Sequence, residues 1–318
     1  MTTLPRARPY KQVDVFTDRP YWGNPLAVVL DGSDLSDMEM QRFAHWMNLS
    51  ETAFVLPPTP KGLAKGADYR VRIFTPGGEL PFAGHPTLGS CHAWLEAGGR
   101  PRHADTIVQE CTVGLVPIER DGQRLYFAAP ALKRTEPEAK LLTDVTEALG
   151  LQPINILSAQ MLNNGPSWLG LLVNDVDTLL ALAPDHRALQ RLDTKVGVIA
   201  LHEALPAPPL INRSNREARA FSQRRDTTPP LFPEGAHATV EVRAFAAAVG
   251  VDEDPVTGSL NASLAQWLIA DGVLPEKFVA TQGTCLGREG QVFVQRKSDG
   301  QVWVGGYAVT CIDGKVRL

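Results

Sequence analysis

Hydrophobic and polar residues alternate along the chain with two different periods, which predicts a mixture of strands and helices. Runs with a two-residue period predict strands at 13–16, 26–30, 52–56 and 69–74. The pattern from Ser36 to Glu39 is a capping box and predicts a helix that continues to about Trp46. A second helix is predicted over 87–97, after a loop over 75–86 that is rich in glycine and proline.

This order of elements recurs in the second half of the chain. The strand 71–74 precedes a helix that carries Trp94, and the strand 242–245 precedes a helix that carries Trp267. Arg243 follows Arg72 at an offset of 171 residues, and the two tryptophans are 173 residues apart. The alternative is that the two Val-Arg-x-Phe segments are unrelated. That alternative does not explain why a helix with a tryptophan follows each segment at nearly the same distance. The sequence therefore predicts a duplicated unit.

A fainter similarity relates residues 23–31 to residues 165–174 at an offset of about 142. The second copy then carries about 28 more residues, which fit the segment 206–237 and predict a long surface excursion there. The arginines of this segment have no assigned role, and a solvated loop is the simplest interpretation. We place the boundary between the copies near Pro130, which predicts domains over 1–130 and 131–306.

Composition restricts the class of protein. The 318 residues are 44% hydrophobic and 21% charged with a net charge of −4, which excludes a disordered chain and disfavours nucleic acid as a partner. No apolar run is long enough for a membrane span, and the N-terminus lacks the apolar segment of a secretory signal. We therefore expect a cytoplasmic protein. Its widely spaced cysteines predict buried free thiols, at positions Cys91, Cys111, Cys285 and Cys311.

Two segments that begin helices are candidates for binding an anion. Gly84–Thr87 and Thr257–Ser259 both contain residues that ordinarily start helices, and that structural role alone explains them. A helix start also presents free N–H groups and the positive end of the helix dipole. Because the duplication would bring both starts into one cleft, we favour binding of a small carboxylic acid there by these two segments.

Three side chains are candidates for acid–base chemistry. Glu51 is flanked by apolar residues, so its pKa is expected to be raised, and such a carboxyl can pass a proton in both directions. His85 and Asp254 come from corresponding loops of the two copies and are expected to position the substrate and assist proton movement. The alternatives are an exposed charge for Glu51, a histidine bonded to backbone for His85, and a turn-capping residue for Asp254.

Several kinds of cofactor site have no sequence support. The chain contains neither G-x-x-x-x-G-K-[ST] nor G-x-G-x-x-G after a strand, so no nucleotide cofactor is predicted. It has no G-x-S-x-G, and the remaining histidines are spaced unsuitably for a metal site. Acid–base chemistry without a cofactor or metal is the remaining interpretation.

Five segments closely resemble motifs of the phenazine-biosynthesis PhzF-like family, which has the diaminopimelate epimerase fold: 13–17, 23–28, 48–54, 82–89 and 253–259. The resemblance continues in order to Gly305-Gly306. It includes Gln282-Gly283 and residues 286–288.

The resemblance implies an α+β fold of two pseudo-symmetric domains, each a curved, mostly antiparallel sheet wrapped around a central helix. It implies an active site between the domains, a last strand at about 307–318 that returns to the first domain, and a homodimer. In the best-understood family member, a glutamate isomerises a dihydro-hydroxyanthranilate by moving a proton between carbons.

That glutamate corresponds to Glu51, and Ser50 of the same motif is a candidate for substrate binding. The companion polar residues correspond to His85 and Asp254, and the helix-start groups that bind the substrate correspond to Gly84, Gly258 and Ser259. Racemases of the wider fold use two cysteines at the helix starts, where Ala83 and Pro255 stand in this chain. A two-thiol racemase is therefore disfavoured.

The sequence as a whole predicts a cofactor-independent isomerase that acts on a small carboxylic acid. A protein that keeps the cleft but only binds a small molecule, as a regulator or otherwise, is the alternative. A lyase that expels a β-substituent from the same kind of acid is a third possibility.

Overall fold

Strands form most of the regular structure in the computed structural model, which describes residues 6–202 and 238–318. The first strands are β1 (Ala7–Val15), β2 (Asn24–Val29), β3 (Thr52–Leu56), β4 (Tyr69–Thr75), β5 (Gly78–Leu80), β6 (Thr106–Cys111), β7 (Gly114–Asp121) and β8 (Arg124–Ala128). The later strands are β9 (Lys133–Thr135), β10 (Ile156–Asn163), β11 (Ser167–Val173), β12 (Val196–Leu201), β13 (Ala238–Ala246), β14 (Val251–Asp254), β15 (Lys277–Gln282), β16 (Gly290–Arg296), β17 (Val302–Gly306) and β18 (Ala308–Arg317). The α-helices are α1 (Asp37–Met47), α2 (Pro60–Ala64), α3 (Gly84–Glu96), α4 (Ala139–Leu149), α5 (Val176–Leu180), α6 (His186–Arg191) and α7 (Gly258–Ala270). Short 3₁₀ helices lie at Pro153–Asn155, Ala247–Val249 and Thr284–Leu286.

The strand pairings of the first half recur in the second half with the same directions. β1 pairs antiparallel with β2, β2 parallel with β3, β3 antiparallel with β4, and β4 parallel with β6. The pairings β10–β11, β11–β12, β12–β13 and β13–β15 follow the same order of directions. Antiparallel meanders, β6–β7–β8 and β15–β16–β17, complete the copies. The predicted α+β fold of two pseudo-symmetric units is therefore confirmed.

Each copy surrounds one helix of 13 residues, α3 in the first and α7 in the second. α3 contacts β1, β2, β8 and β18, and α7 contacts β10, β16 and β17. Residues 84–91 of α3 are all buried, as are ten residues of α7. A helix that is enclosed on all sides lacks a polar face, which is why both sequences are apolar around most of their circumference.

The copies are connected by strands as well as by the chain. β8 pairs antiparallel with β17, from Leu125 opposite Gly306 to Ala128 opposite Trp303. The last strand, β18, pairs antiparallel along the whole of β1, and β9 pairs antiparallel with β10 in the corresponding place. The domain boundary at residue 130 remains a prediction.

The two helices predicted in the first copy are present, but one starts earlier than expected. The capping box of α1 is formed by Ser36 and Glu39, as predicted. α3 begins at Gly84 rather than at Thr87, because the Thr87 N–H and hydroxyl already donate to the Ala83 carbonyl, at 3.2 and 2.9 Å. Pro86 fits within this first turn because its missing N–H would have had no helical partner there. The preceding loop also contains the short strand β5.

All four cysteines are unpaired, as predicted, but only Cys91 and Cys111 are buried. Cys285 is exposed because it lies on a surface 3₁₀ turn, and Cys311 is half-buried on the partly exposed β18. The excursion over 206–237, with its arginines, lies outside the described residues. Across 6–202 and 238–318, every helix is too short or too polar to cross a membrane.

Candidate active site

Glu51 lies where α1 gives way to β3. α1 ends at Met47, and Asn48 follows in the left-handed conformation with a φ of 54°, which turns the chain towards β3. Thr52 is the first residue of β3 and is fully buried. Ser50 is half-buried beside Glu51. Glu51 is therefore placed by a short turn after α1 and by the start of β3.

The Glu51 carboxyl is removed from bulk water. Its side chain is 16% exposed, and its Oε2 atom is buried without a hydrogen-bond partner among the described residues. Burial raises the pKa of Glu51 to about 8, the like charge of Asp254 adds to the increase, and Lys195 opposes it. At pH 7 most molecules therefore carry a protonated Glu51.

His85 is the second residue of α3 and lies beside Glu51. Its side chain is 5% exposed, and its Nδ1 atom is 3.6 Å from Glu51 Oε2. Burial lowers the pKa of His85 to about 3, so the imidazole is neutral. Its Nε2 atom has no hydrogen-bond partner among the described residues. Glu51 and His85, which lie side by side, thus each carry a buried polar atom without a partner among the described residues, and a bound ligand would satisfy such atoms.

Asp254 completes the group from the end of β14. One carboxylate oxygen accepts a hydrogen bond of 2.9 Å from the Asn24 side-chain amide, and the other accepts one of 2.6 Å from the Thr257 hydroxyl. Burial raises the pKa of Asp254 to about 6, although these hydrogen bonds and the charge of Lys195 lower it. Asp254 is consequently mostly ionised at pH 7, while Glu51 is mostly protonated.

Gln282, at the end of β15, fixes the segment that carries Asp254. Its side-chain oxygen accepts hydrogen bonds from the Thr257 N–H (3.0 Å) and the Asn261 amide (2.8 Å). Its NH₂ group donates to the Asp254 carbonyl (2.9 Å) and the Thr257 hydroxyl (3.0 Å). Because Gln282 is fully buried and uses both ends of its amide, it holds the chain rigidly ahead of α7.

The starts of α3 and α7 lie against each other. A Cβ atom built on Gly258 would be 3.4 Å from Gly84 Cα and 3.5 Å from the His85 amide nitrogen. The Ser259 hydroxyl accepts a hydrogen bond of 3.3 Å from the Trp168 indole. First-turn N–H groups have no helical partners, so the two starts together can receive one small anion.

The structure therefore brings together most of the predicted site residues. Glu51, His85 and Asp254 lie with the helix starts that contain Gly84 and Gly258. Ser259 is the second residue of α7 and directly follows Gly258. Ser50 is the exception, because its hydroxyl makes no hydrogen bond with any described residue and its role remains a prediction.

A family profile described as phenazine biosynthesis-like protein matches residues 13–314. The chain belongs to this family. The match covers both copies of the fold and every residue of the site described above.

Named relatives extend over the same length. The chain is 34% identical to Antisense-enhancing sequence 1 of Schizosaccharomyces pombe, over 96% of this chain and 97% of that protein. It is 32% identical to trans-2,3-dihydro-3-hydroxyanthranilate isomerase of Pseudomonas aeruginosa, over 97% and 99%. A crystal structure of a PhzF-family phenazine biosynthesis protein from Bacillus anthracis superposes with a TM-score of 0.76 at 22% identity, covering 98% of this chain and all of that one. The relative from Pseudomonas aeruginosa supports an isomerase, and the superposition supports the fold.

The helix starts of this family member carry no thiol. The residues that precede α3 and α7 are Ala83 and Thr257. Cys91 lies further along α3, where burial raises the pKa of its thiol to about 12. A pair of thiolates acting on opposite faces of a carbon is therefore not available at this position.

Sequence reasoning missed four residues that shape the site: Asn24, Thr257 as the partner of Asp254, Gln282 and Lys195. Asn24 and Gln282 lie in segments that resemble family motifs, but their hydrogen bonds connect residues more than 20 positions apart. For Lys195, the sequence offered only the spacing between the two copies of the repeat. That spacing identifies Lys195 as a site residue only when the exact pairing of the strands is known.

Proposed function

We propose that this chain is a cofactor-independent isomerase that moves a proton between carbons of a small, unsaturated carboxylic acid. The observation that supports this most directly is the buried carboxyl of Glu51, with an unpartnered Oε2 atom and a pKa raised to about 8. A carboxyl with such a pKa exchanges protons near neutral pH, where an ordinary glutamate is a weak base.

In the proposed reaction, the ionised form of Glu51 removes a proton from one carbon of the bound acid. The electron pair of the broken C–H bond moves into the adjacent unsaturated system. The same carboxyl, now protonated, donates its proton to a second carbon, and the double bond shifts. No other group is consumed, and Glu51 returns to its starting state.

The remaining residues are proposed to hold the acid in place. The starts of α3 and α7, with Gly84, Gly258 and Ser259, receive the substrate carboxylate. The neutral His85 donates or accepts a hydrogen bond through its unpartnered Nε2 atom. Asp254, fixed by Asn24 and Thr257, accepts from a polar substituent.

A cofactor-free binding protein is the second candidate. It is favoured by one relative, Antisense-enhancing sequence 1, whose name does not denote an isomerase. Such a protein would keep the anion-binding helix starts without moving a proton.

Incubation in deuterated water separates these candidates. Trans-2,3-dihydro-3-hydroxyanthranilate is the first acid to test, because the relative from Pseudomonas aeruginosa is named as its isomerase, and a panel of other unsaturated acids follows. Wild-type protein is expected to place deuterium on carbon, as observed by NMR, and Glu51→Gln is expected to bind the same acid without exchange. Glu147→Gln, on the exposed face of α4, is the matched control. Equal exchange rates in Glu51→Gln and wild type would refute the mechanism, and binding without exchange in the wild type would favour the second candidate.

A further inference from the structure

Lys195 occupies the position in the second copy that Glu51 occupies in the first. Glu51 directly precedes β3, where Thr52 pairs with Phe74 of β4. Lys195 directly precedes β12, where Val196 pairs with Phe245 of β13. The parallel neighbours agree as well, since β3 and β12 begin opposite corresponding residues of β2 and β11. The duplicated fold therefore places a lysine and a glutamate at equivalent positions.

The ammonium of Lys195 is held near the start of α7. It lies 5.1 Å from the centroid of the Trp168 ring, which is itself 3% exposed. The indole N–H of Trp168 donates to the Ser259 hydroxyl at 3.3 Å. A cation over an indole face is partly stabilised by the ring, and this contact limits the positions that the flexible lysine can take.

Lys195 is close enough to both carboxyls of the site to interact with them, yet it is paired with neither. Its charge lowers the pKa of Glu51 and of Asp254. Lys195 forms no ion pair within 4.0 Å and no side-chain hydrogen bond with the residues that the structure describes. A half-buried ammonium without a contacting anion, beside a helix start, is an arrangement that a bound carboxylate would complete.

We propose that Lys195 binds the carboxylate of the substrate together with Ser259 and the start of α7, and so selects acids over uncharged analogues. This inference rests on the proposed function, because it assumes that the acid lies between Glu51 and the second copy. It adds a full positive charge to a subsite that would otherwise offer only uncharged N–H and hydroxyl groups. The two copies would then differ in function: Glu51 of the first copy transfers the proton, and Lys195 of the second copy recognises the charge of the substrate.

The test compares an acid with its neutral amide. 3-Hydroxyanthranilate is an aromatic acid with no proton to move between ring carbons, so its binding is measured without turnover, and 3-hydroxyanthranilamide lacks the charge. Calorimetry is performed with wild type, Lys195→Met and Lys195→Arg, and with Lys133→Met on the exposed β9 as the control. Lys195→Met is expected to weaken binding of the acid about 10- to 100-fold and to leave binding of the amide unchanged. Lys195→Arg is expected to recover most of the loss.

Each other outcome overturns the assignment. Equal weakening of the acid and the amide would indicate a structural role, and wild-type protein that does not prefer the acid would have no charge recognition to explain. Unchanged affinity with slower deuterium exchange would mean that Lys195 acts on Glu51 rather than on the substrate. Because affinity is measured without catalysis, a failure of the isomerase proposal shows only in the exchange experiment and remains distinguishable.

Discussion

The Asn24 side chain donates a hydrogen bond of 2.9 Å to Asp254, which lies 230 residues further along the chain. Asn24 begins β2 in the first copy, and Asp254 ends β14 in the second. The same NH₂ group also donates to the Val256 carbonyl at 2.9 Å. One fully buried amide therefore connects the two copies at the site and supplies half of the hydrogen bonds that fix the Asp254 carboxylate.

Replacement of Asn24 by alanine is expected to destabilise the protein. Asn24→Ala leaves the buried Asp254 carboxylate and the Val256 carbonyl without this donor, which costs about 1–3 kcal/mol in the free energy of unfolding. Urea denaturation measures the change, and Asn163→Ala at an exposed position is the control. Equal stability of the two variants would mean that the connection between the copies does not depend on Asn24.

The rate of deuterium exchange is expected to rise with pH up to about pH 8 and then to level off. In the proposed reaction only ionised Glu51 removes a proton, and its pKa is about 8. The rate is therefore expected to increase about tenfold per pH unit between about pH 6, where Asp254 ionises, and pH 8. His85 adds no inflection near its ordinary pKa, because burial lowers the pKa to about 3. Rates measured from pH 5.5 to 9.5 test both expectations.

Asp254→Asn is the variant that tests the electrostatic origin of this profile. Removal of the like charge that contributes to the raised pKa of Glu51 is expected to move the inflection to lower pH. An inflection that stays in place or moves upward would show that Asp254 does not control the ionisation of Glu51.

The duplication was predictable from the sequence, because each strand and helix repeats its own hydrophobic pattern. The offset is 144 residues between Thr52 and Val196 but 171 between Phe74 and Phe245, so the extra residues fall between β12 and β13. The start of α3 was misplaced because the rules for caps favour serine and threonine, whereas Ala83 precedes this helix without a side-chain cap.

Local sequence was sufficient to predict the electrostatic environment of Glu51 but not that of the other site residues. The apolar residues around Glu51 indicated a raised pKa. The extent to which His85 is buried depends on the contact between α3 and α7, which no local pattern contains. The hydrogen bonds of Gln282 likewise depend on how β15 packs beside the start of α7.

Substitution of Glu51 by glutamine is expected to change how stability depends on pH. The pKa of Glu51 is about 8 in the folded protein against an ordinary value of 4.5, so the folded state keeps a proton that the unfolded chain has lost between these values. Stability therefore falls as the pH rises through this window. Glu51→Gln removes that contribution, and its stability relative to wild type is expected to increase between pH 5 and 8, by on the order of 3 kcal/mol.

Urea unfolding at several pH values measures this difference. Glu147→Gln is the control and is expected to follow the wild-type curve. If Glu51→Gln also runs parallel to wild type from pH 5 to 8, the carboxyl is solvated in solution and the basis for its proposed role is lost.

Gly84 is expected to tolerate no side chain, because the first turn of α3 has no free space. A Cβ atom built there would be 2.7 Å from Phe127 Cζ, and the buried Phe127 ring is itself packed edge-to-face against Phe82 at 5.7 Å. Gly84→Ala must therefore displace the ring or the helix start, at a cost of about 1–3 kcal/mol, and the displaced N–H groups would slow exchange. Gly78→Ala is the matched control, since nothing lies within 4 Å of its added Cβ. If Gly84→Ala is as stable and as active as Gly78→Ala, the Phe127 ring moves aside without loss of stability. The close approach of α3 and α7 is then not required for the reaction.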